Sequence, residues 1–227
     1  MRPVDRGLPP VDSDGPVRVR DYPELKPYLE ERLGPFCSYC EMKVAPTDVE
    51  HKLPKGLFPE LRTEWDNLLL ACDYCNSTKG QRPTTLADHY WPDEHNTALA
   101  FAYPDDGTVA PGPSLALTQA ARAAATIELL GLAKRPDRRH TERLRAWDEA
   151  RDRREQLREL DALGRDTAPL RASIAASAGR FVGFWSVWRA VFADDADMLQ
   201  RLNAGFPGTA ADCFDAQSKA VAVRRGL

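Results

Sequence analysis

Two CxxC pairs decide the fold of this 227-residue chain, and they read Cys37-Ser-Tyr-Cys40 and Cys72-Asp-Tyr-Cys75. The two-residue spacing lets both thiolates of a pair reach one tetrahedral ion at about 2.3 Å. Four thiolates close the coordination shell against water and substrate, so we predict a structural Zn2+ site. The alternatives are free thiols or redox-active pairs, but a thioredoxin-like pair needs a βαβ context that this sequence lacks.

The segment between the pairs, residues 41–71, is longer than the about 15–20 residues that separate the pairs of a simple zinc ribbon. It holds an acid beside a histidine, Glu50-His51, and an asparagine, Asn67, in front of an apolar run. Asn76 follows the second pair directly. We therefore expect the extra residues of this loop to determine the function.

These residue types suit metal-assisted hydrolysis of a phosphodiester, which needs a base to activate water and a cation to stabilise the leaving oxyanion. The imidazole of His51 suits the base because its pKa lies near working pH. Glu50 and Asn76 offer hard oxygen ligands for Mg2+ or Mn2+ and leave positions for water and phosphate. Neighbours on an extended segment point to opposite faces, so we expect a kink or bulge that lets Glu50 and His51 serve one site.

The order of these features over residues 37–80 resembles the HNH endonuclease family, which has a ββα-metal fold. The resemblance implies that His51 is the general base and that Asn67 orients it through hydrogen bonds. It also implies that Glu50 and Asn76 bind the catalytic metal. Glu50 stands where the family usually has Asp, and Asn76 is a replacement for His that the family tolerates.

A more specific resemblance covers 36–82 strongly, 83–133 fairly and the chain beyond 135 weakly. Its residues include VEHKLPK at 49–55, EWDNL at 64–68 and Lys79-Gly80. This block is similar to the HNH subunit of Septu-type anti-phage systems and of related retron-linked cassettes. The resemblance implies a DNA-cutting effector whose partner is an ABC/SMC-like ATPase from the same operon. The sequence has no GxxxxGK[ST] loop, so nucleotide control would have to come from another chain. Two alternatives stay open: a stand-alone restriction-type HNH nuclease, and a non-catalytic zinc module that binds nucleic acid or protein.

Several further residues near the motif have two interpretations. Three lysines either contact phosphates or are simply solvated: Lys52, Lys55 and Lys79. His89 and His95 either line the site or are ordinary loop residues. Cys213, far from the two pairs, is predicted to be a small buried apolar side chain.

The whole chain is predicted to be α+β and mostly helical, with a zinc-framed ββα-metal HNH domain followed by a helical C-terminal region. We expect an extended or mobile N-terminal arm over 1–22. The nuclease domain is assigned to 23–113, with a flanking helix from Leu25 to Leu33 and a hairpin on Asp106-Gly107. The helical region is assigned to 114–227. Since about 45 residues are too few for a stable apolar core, zinc removal should unfold 36–82 and leave the helical region folded.

The helical region contains three predicted helices. The first, from Leu117 to Leu130, should stop at Gly131, and the second should begin near Pro136 and run to about residue 163. Basic side chains outnumber acidic ones over 134–158, which favours either a phosphate-facing helix or a solvated helix with i,i+4 ion pairs. The third, 170–192, carries aromatic residues at helical spacing that form either core or a partner-docking face. The candidate docking anchors are Trp188 and Phe192.

The composition excludes several classes of protein. A net charge of -3 rules out a globally basic nucleic-acid coat, and 43% hydrophobic residues argue against a disordered chain. No apolar run is long enough for a membrane span, and the first residues lack the apolar core of a signal peptide. We therefore expect a cytoplasmic protein with reduced thiols, in which paired cysteines are better read as metal ligands.

Overall fold

The computed structural model describes residues 1–221 and 226–227. Its helices are α1 (Lys26–Leu33), α2 (Asp73–Lys79), α3 (Thr97–Ala100), α4 (Leu117–Leu130), α5 (Arg138–Ala162), α6 (Ala168–Ser177), α7 (Trp185–Val191) and α8 (Ala196–Gly205). Its strands are β1 (Val11–Asp12), β2 (Gly15–Pro16), β3 (Asp48–His51), β4 (Leu68–Ala71), β5 (Phe101–Ala102) and β6 (Ala110–Pro111). They form three two-stranded antiparallel ribbons, β1-β2, β3-β4 and β5-β6. The α+β, mostly helical class is confirmed. Within the described ranges, no helix is long and apolar enough to cross a membrane.

Strands β3 and β4 and helix α2 form the expected ββα unit. Glu50 pairs with Leu69 and His51 with Leu68, so the candidate acid and base lie on a strand whose partner is entirely buried. Cys72 then caps helix α2, its Sγ accepting a hydrogen bond from the backbone N–H of Cys75 at 3.4 Å. The second cysteine pair therefore also fixes the start of the helix that carries Asn76.

A single apolar core joins the ββα unit to the helical region. It includes Leu29 of α1, Leu69 of β4, Ile127 of α4 and Val187 of α7. The shared core means that neither half of the chain buries its apolar surface alone. The division at 22/23 and 113/114 stays a prediction about domain organisation.

The first six residues of the expected extended or mobile arm dock on the rest of the chain. Val4 is buried and forms an isolated bridge with Thr209. The Arg6 guanidinium donates to the carbonyl of Leu68 on β4 at 2.8 Å, and that of Arg2 donates to the carbonyl of Leu33 at 3.0 Å. These carbonyls satisfy the buried guanidinium donors, which is why such polar residues dock in the core.

The predicted hairpin and the first helix of the helical region are confirmed. Helix α4 ends where the sequence predicted, at Gly131, which adopts the left-handed conformation with φ 61°. The hairpin is present as β5 and β6, with Gly107 at φ 73° in its turn. The next helix starts slightly later than predicted, because Asp137 rather than Pro136 caps α5 by accepting from the N–H of Arg139 at 2.7 Å.

The exposed charges of α5 pair along the helix itself. Arg145 contacts Glu142 at 2.9 Å, Arg151 contacts Asp148 at 2.8 Å, and Arg158 lies 3.8 Å from Glu155. Such pairs, three residues apart, support the interpretation of a solvated helix over that of a phosphate-binding face.

The prediction of one continuous helix over 170–192 is wrong. Helix α6 ends at Ser177, a π-helical turn follows, and the chain breaks at Gly183 (φ 81°) and Phe184 (φ 54°) before α7 begins. A Cβ on Gly183 would lie 2.7 Å from the carbonyl oxygen of Glu41, beside the first cysteine pair. The break therefore lets the helical region approach the zinc frame closely.

The prediction that Trp188 and Phe192 anchor a docking partner is wrong. They are 0% and 1% exposed and belong to a second apolar core cluster, packed between α5, α6, α7 and α8. The aromatic side chain of this segment that does face solvent is Phe181, which is 74% exposed. The core interpretation is confirmed for Phe184, Trp185 and Trp188 but not for Phe181.

Candidate active site and zinc centre

The four paired cysteines converge on one buried point. All four sulfur atoms lie within 4.8 Å of one another, and Cys40 Sγ is 3.7 Å from Cys72 Sγ. This distance is far longer than the about 2.05 Å of a disulfide. It matches the about 3.8 Å between sulfurs of a tetrahedral shell with Zn–S bonds of about 2.3 Å. Across the part of the chain that the structure describes, this is the only such group of histidine, cysteine or carboxylate side chains. The donor set and its geometry fit a structural Zn2+.

Two long-range contacts tie the zinc frame to the helical region. Glu41, just after the first pair, accepts from the backbone N–H of Ser186 at 2.7 Å and from its hydroxyl at 2.5 Å. Arg139 of α5 donates to Cys75 Sγ at 3.2 Å and to the carbonyl of Leu130 at 2.8 Å. A guanidinium beside four thiolates offsets part of their negative charge. Nothing in the local sequence distinguishes Arg139 from its solvated neighbours in α5.

Replacing Arg139 with methionine is expected to weaken zinc binding about 10–100-fold, as loss of a hydrogen bond to a ligand atom typically does. The matched control is Arg138→Met, because Arg138 is exposed on the same turn. Competition with a chromophoric chelator measures the two affinities. Equal zinc affinities for the two variants would show that the Arg139–Cys75 contact does not support the metal.

Glu50 is a buried carboxylate held against a buried lysine. It is 4% exposed, and its Oε1 lies 2.8 Å from Nζ of Lys79, which is fully buried. Burial raises the pKa of Glu50, and the Lys79 ammonium opposes this rise. Lys79 also donates to the carbonyl of His51 at 2.6 Å. A phosphate contact by Lys79 stays a prediction, and in this structure the charge of Lys79 is paired inside the protein.

The imidazole of His51 is held in one tautomer. Its Nε2 lies 2.9 Å from the carbonyl oxygen of Arg62. A carbonyl only accepts, so Nε2 carries the proton and Nδ1 carries the lone pair. Burial lowers the pKa of His51, which favours the neutral ring. The arrangement gives His51 what a general base needs, a neutral ring with Nδ1 as the accepting atom.

Asn67 clamps the loop that follows His51. Its Oδ1 accepts from the backbone N–H of Leu53 at 2.8 Å, and its Nδ2 donates to the carbonyls of Leu53 at 3.0 Å and Leu61 at 3.3 Å. The side chain thus fixes the backbone on both sides of the loop. This geometry suits an orienting role that acts through the loop, without a direct hydrogen bond to the imidazole among the described contacts.

Asn76 faces β3 and meets a carboxylate that the sequence analysis missed. Its Nδ2 donates to Asp48 Oδ2 at 3.3 Å. Asp48 and Glu50 share one face of β3 because they are two residues apart, and Asn76 and Lys79 share one face of α2 because they are three apart. These facing surfaces place the oxygen-bearing side chains of Asp48, Glu50 and Asn76 between β3 and α2. Asp48 could have been found from the sequence, because side chains two residues apart on a strand lie on the same face and Asp48 is two residues before Glu50.

The expected kink between Glu50 and His51 is not present. The pairing of β3 with β4 runs without a bulge from Asp48 to His51. The two side chains accordingly contact different partners, Lys79 for Glu50 and the carbonyl of Arg62 for His51. Regular strand alternation holds here because every residue of β4 is buried and fixes the register.

The two other lysines differ from each other. Lys52 is 1% exposed, and its ammonium contacts Asp93 at 2.6 Å and also Glu94. A phosphate contact by Lys52 likewise stays a prediction, and in this structure its ammonium is paired with two carboxylates. Lys55 is half-buried beside the site and donates to the hydroxyl of Tyr22 at 2.5 Å.

His89, His95 and Cys213 have local structural roles. His95 Nε2 accepts from the guanidinium of Arg122 at 2.9 Å, so Nδ1 carries the proton and lies 3.3 Å from the carbonyl oxygen of Trp91. His89 Nδ1 lies 3.2 Å from the carbonyl of Thr85. Cys213 is fully buried outside the cysteine cluster, as predicted.

Comparison with known proteins agrees with this geometry. The family model described as HNH endonuclease matches residues 37–82. A relative from Bacillus thuringiensis, named Septu protein PtuB, is 40% identical over 62 residues. That match covers 26% of this chain and 24% of the relative, so it spans about a quarter of the relative's length. Residues 37–82 of this chain are therefore an HNH endonuclease domain, homologous to part of a Septu protein.

Proposed function

We propose that this chain is a metal-dependent HNH endonuclease that cuts DNA as the effector of an anti-phage complex. The observation that carries the proposal is the held tautomer of His51 inside the matched domain, with the Glu50 carboxylate on the neighbouring strand position. An imidazole whose Nε2–H donates to a carbonyl is suited to accept a proton from water at Nδ1.

The oxygen-bearing side chains of β3 and α2 fit a hard divalent cation. Glu50 and Asn76 would hold Mg2+ or Mn2+, and Asp48 lies within reach because it already contacts Asn76. In this structure Glu50 Oε1 pairs with the Lys79 ammonium, so a cation held by Glu50 would share the carboxylate with Lys79. When bound, the cation stabilises negative charge on the phosphate and the leaving oxygen. His51 activates the water, and Asn67 keeps the intervening loop in place.

The similarity to a Septu protein supports the role in defence and the presence of an ATPase partner. The 227 residues contain no GxxxxGK[ST] phosphate-binding loop. We propose that this partner is an ABC/SMC-like ATPase encoded beside the nuclease gene, acting with it in the cytoplasm. The net charge of -3 fits this arrangement, because a chain without overall positive charge gains from a partner that holds the DNA.

Plasmid DNA and an RNA of matched sequence, incubated with Mg2+ or Mn2+, test this proposal. We expect cleavage of the DNA in the presence of the ATPase partner. Discrete fragments without any partner would instead favour a stand-alone restriction-type nuclease. Cleavage of the RNA alone would overturn the DNA assignment. Binding without cleavage, unaffected by substitution of Glu50 or His51, would favour a non-catalytic zinc module.

A further inference from the structure

A turn from the N-terminal segment lies directly against the base. The 3-10 turn Tyr22–Leu25 is capped by Asp21, and the backbone N–H of Asp21 donates to Glu24 at 3.1 Å. The turn runs straight into α1, which is anchored by Leu25 and Leu29 at 3% and 0% exposure. It is therefore a fixed element, although it lies outside the matched domain of residues 37–82.

The ring of Tyr22 packs on the imidazole of His51. The ring centroids are 4.7 Å apart and the planes meet at 77°, which is the favoured edge-to-face arrangement. Lys55 also holds the tyrosine, with its Nζ 3.9 Å from the ring centroid and 2.5 Å from the hydroxyl. Tyr22 thus limits the positions that the imidazole of His51 can adopt.

Asp21 holds the residue that sets the tautomer of His51. Its two carboxylate oxygens accept from Nε and NH2 of Arg62 at 2.8 and 2.7 Å. The backbone carbonyl of the same Arg62 is the partner of His51 Nε2. The ion pair is exposed, at 39% for Asp21 and 49% for Arg62, and such pairs contribute only about 0–1 kcal/mol to stability. Its bidentate geometry still fixes where Arg62 lies.

We propose that Asp21 and Tyr22 are positioning residues for His51. Asp21 acts through Arg62 and keeps the proton on Nε2, while Tyr22 packs on the ring and fixes its orientation. The N-terminal segment thus completes a site whose base and metal ligands belong to the HNH domain. The inference rests on the proposed role of His51 as the base. A base displaced by a fraction of an ångström loses rate without loss of substrate binding.

The test compares Asp21→Asn, Tyr22→Ala and Tyr22→Phe in the full-length, zinc-loaded protein. The matched control is Asp14→Asn, because Asp14 is an exposed acid of the same segment. Long-range nitrogen-15 NMR of the imidazoles reports the tautomer of His51 without reference to activity. Plasmid cleavage reports kcat and KM, and thermal melting checks the fold.

We expect Asp21→Asn and Tyr22→Ala to populate the Nδ1–H form of His51 and to lower kcat about tenfold or more, with KM unchanged. Tyr22→Phe keeps the ring and is expected to keep the tautomer. Unchanged tautomer populations in both Asp21→Asn and Tyr22→Ala would overturn the proposal. If the parent protein cuts no substrate, the tautomer measurement alone decides: a shift supports positioning by the turn and places the failure with the proposed base role.

Discussion

Replacing Cys72 with serine is expected to remove zinc and to unfold the segment from about residue 36 to residue 82. Cys72 contributes both a sulfur to the cluster and the cap of α2. Structural zinc contributes about 10–16 kcal/mol of apparent binding free energy in small zinc-dependent folds, and a segment of this size has little core of its own. Without the fourth ligand, zinc binding is weakened. We therefore expect the free energy lost with the metal to exceed the stability that apolar packing supplies to this segment.

The unfolding is also expected to reach the helical region, which differs from the expectation from sequence alone. Arg139 would lose its contact with Cys75, and the loop carrying Glu41 would no longer hold Ser186 at the start of α7. Hydrogen exchange should accordingly accelerate in residues 37–82, at the start of α5 and at the start of α7. The shared apolar core is also expected to spread the unfolding from the ββα unit to the helical region.

Zinc content and hydrogen exchange, measured on the same samples, check this expectation. Cys213→Ala is the matched control, because Cys213 is equally buried but lies outside the cluster. The control should keep its zinc and its exchange pattern across the ββα unit. A Cys72→Ser protein that retains full zinc occupancy, or loses zinc with unchanged exchange, would contradict a structural role for the metal.

Replacing His51 with alanine is expected to lower the rate of cleavage by about 100-fold or more, while the fold is kept. General-base catalysis contributes about 10²–10⁴-fold, and Nδ1 of His51 is the nitrogen left to accept a proton. Zinc binding and the β3-β4 register do not depend on the imidazole, so zinc content should stay that of the parent. A non-catalytic zinc module predicts no effect on function.

The local patterns of the HNH domain were readable from the sequence. The two cysteine pairs are defined by neighbours within a few residues, so their spacing located them. Glu50-His51 and Asn76 were picked out by the resemblance of residues 37–80 to the HNH family. The ending of α4 at Gly131 was readable for the same reason, since one glycine supplies the left-handed conformation.

Contacts between distant parts of the chain were not readable. Arg139 lies among exposed arginines, and no local feature marks it as the partner of Cys75. Asp21 reaches Arg62 across 41 positions of sequence. Lys52 resembles a solvated lysine until Asp93 is placed beside it. In each case the fold decides whether a charged side chain is a surface group or part of the site's support.

The break between α6 and α7 was missed for a related reason. Aromatic residues recur at helical spacing through the break, so their periodicity predicted one helix. The close approach of Gly183 to the carbonyl of Glu41 forces a different backbone there. Tertiary packing against the zinc frame, which no periodicity describes, sets the end of the helix.

Single-turnover cleavage of a supercoiled plasmid tests the central claim most directly, namely that His51 acts as the base of a nuclease site. The parent, His51→Ala and His89→Ala proteins are compared with Mg2+ and the ATPase partner, at enzyme concentrations above that of the plasmid. His89 is a suitable control because it lies in a loop and contacts Thr85 rather than the site. We predict that His89→Ala cuts at the parental rate and that His51→Ala is slower by about 100-fold or more. Equal rates for His51→Ala and the parent would contradict the account.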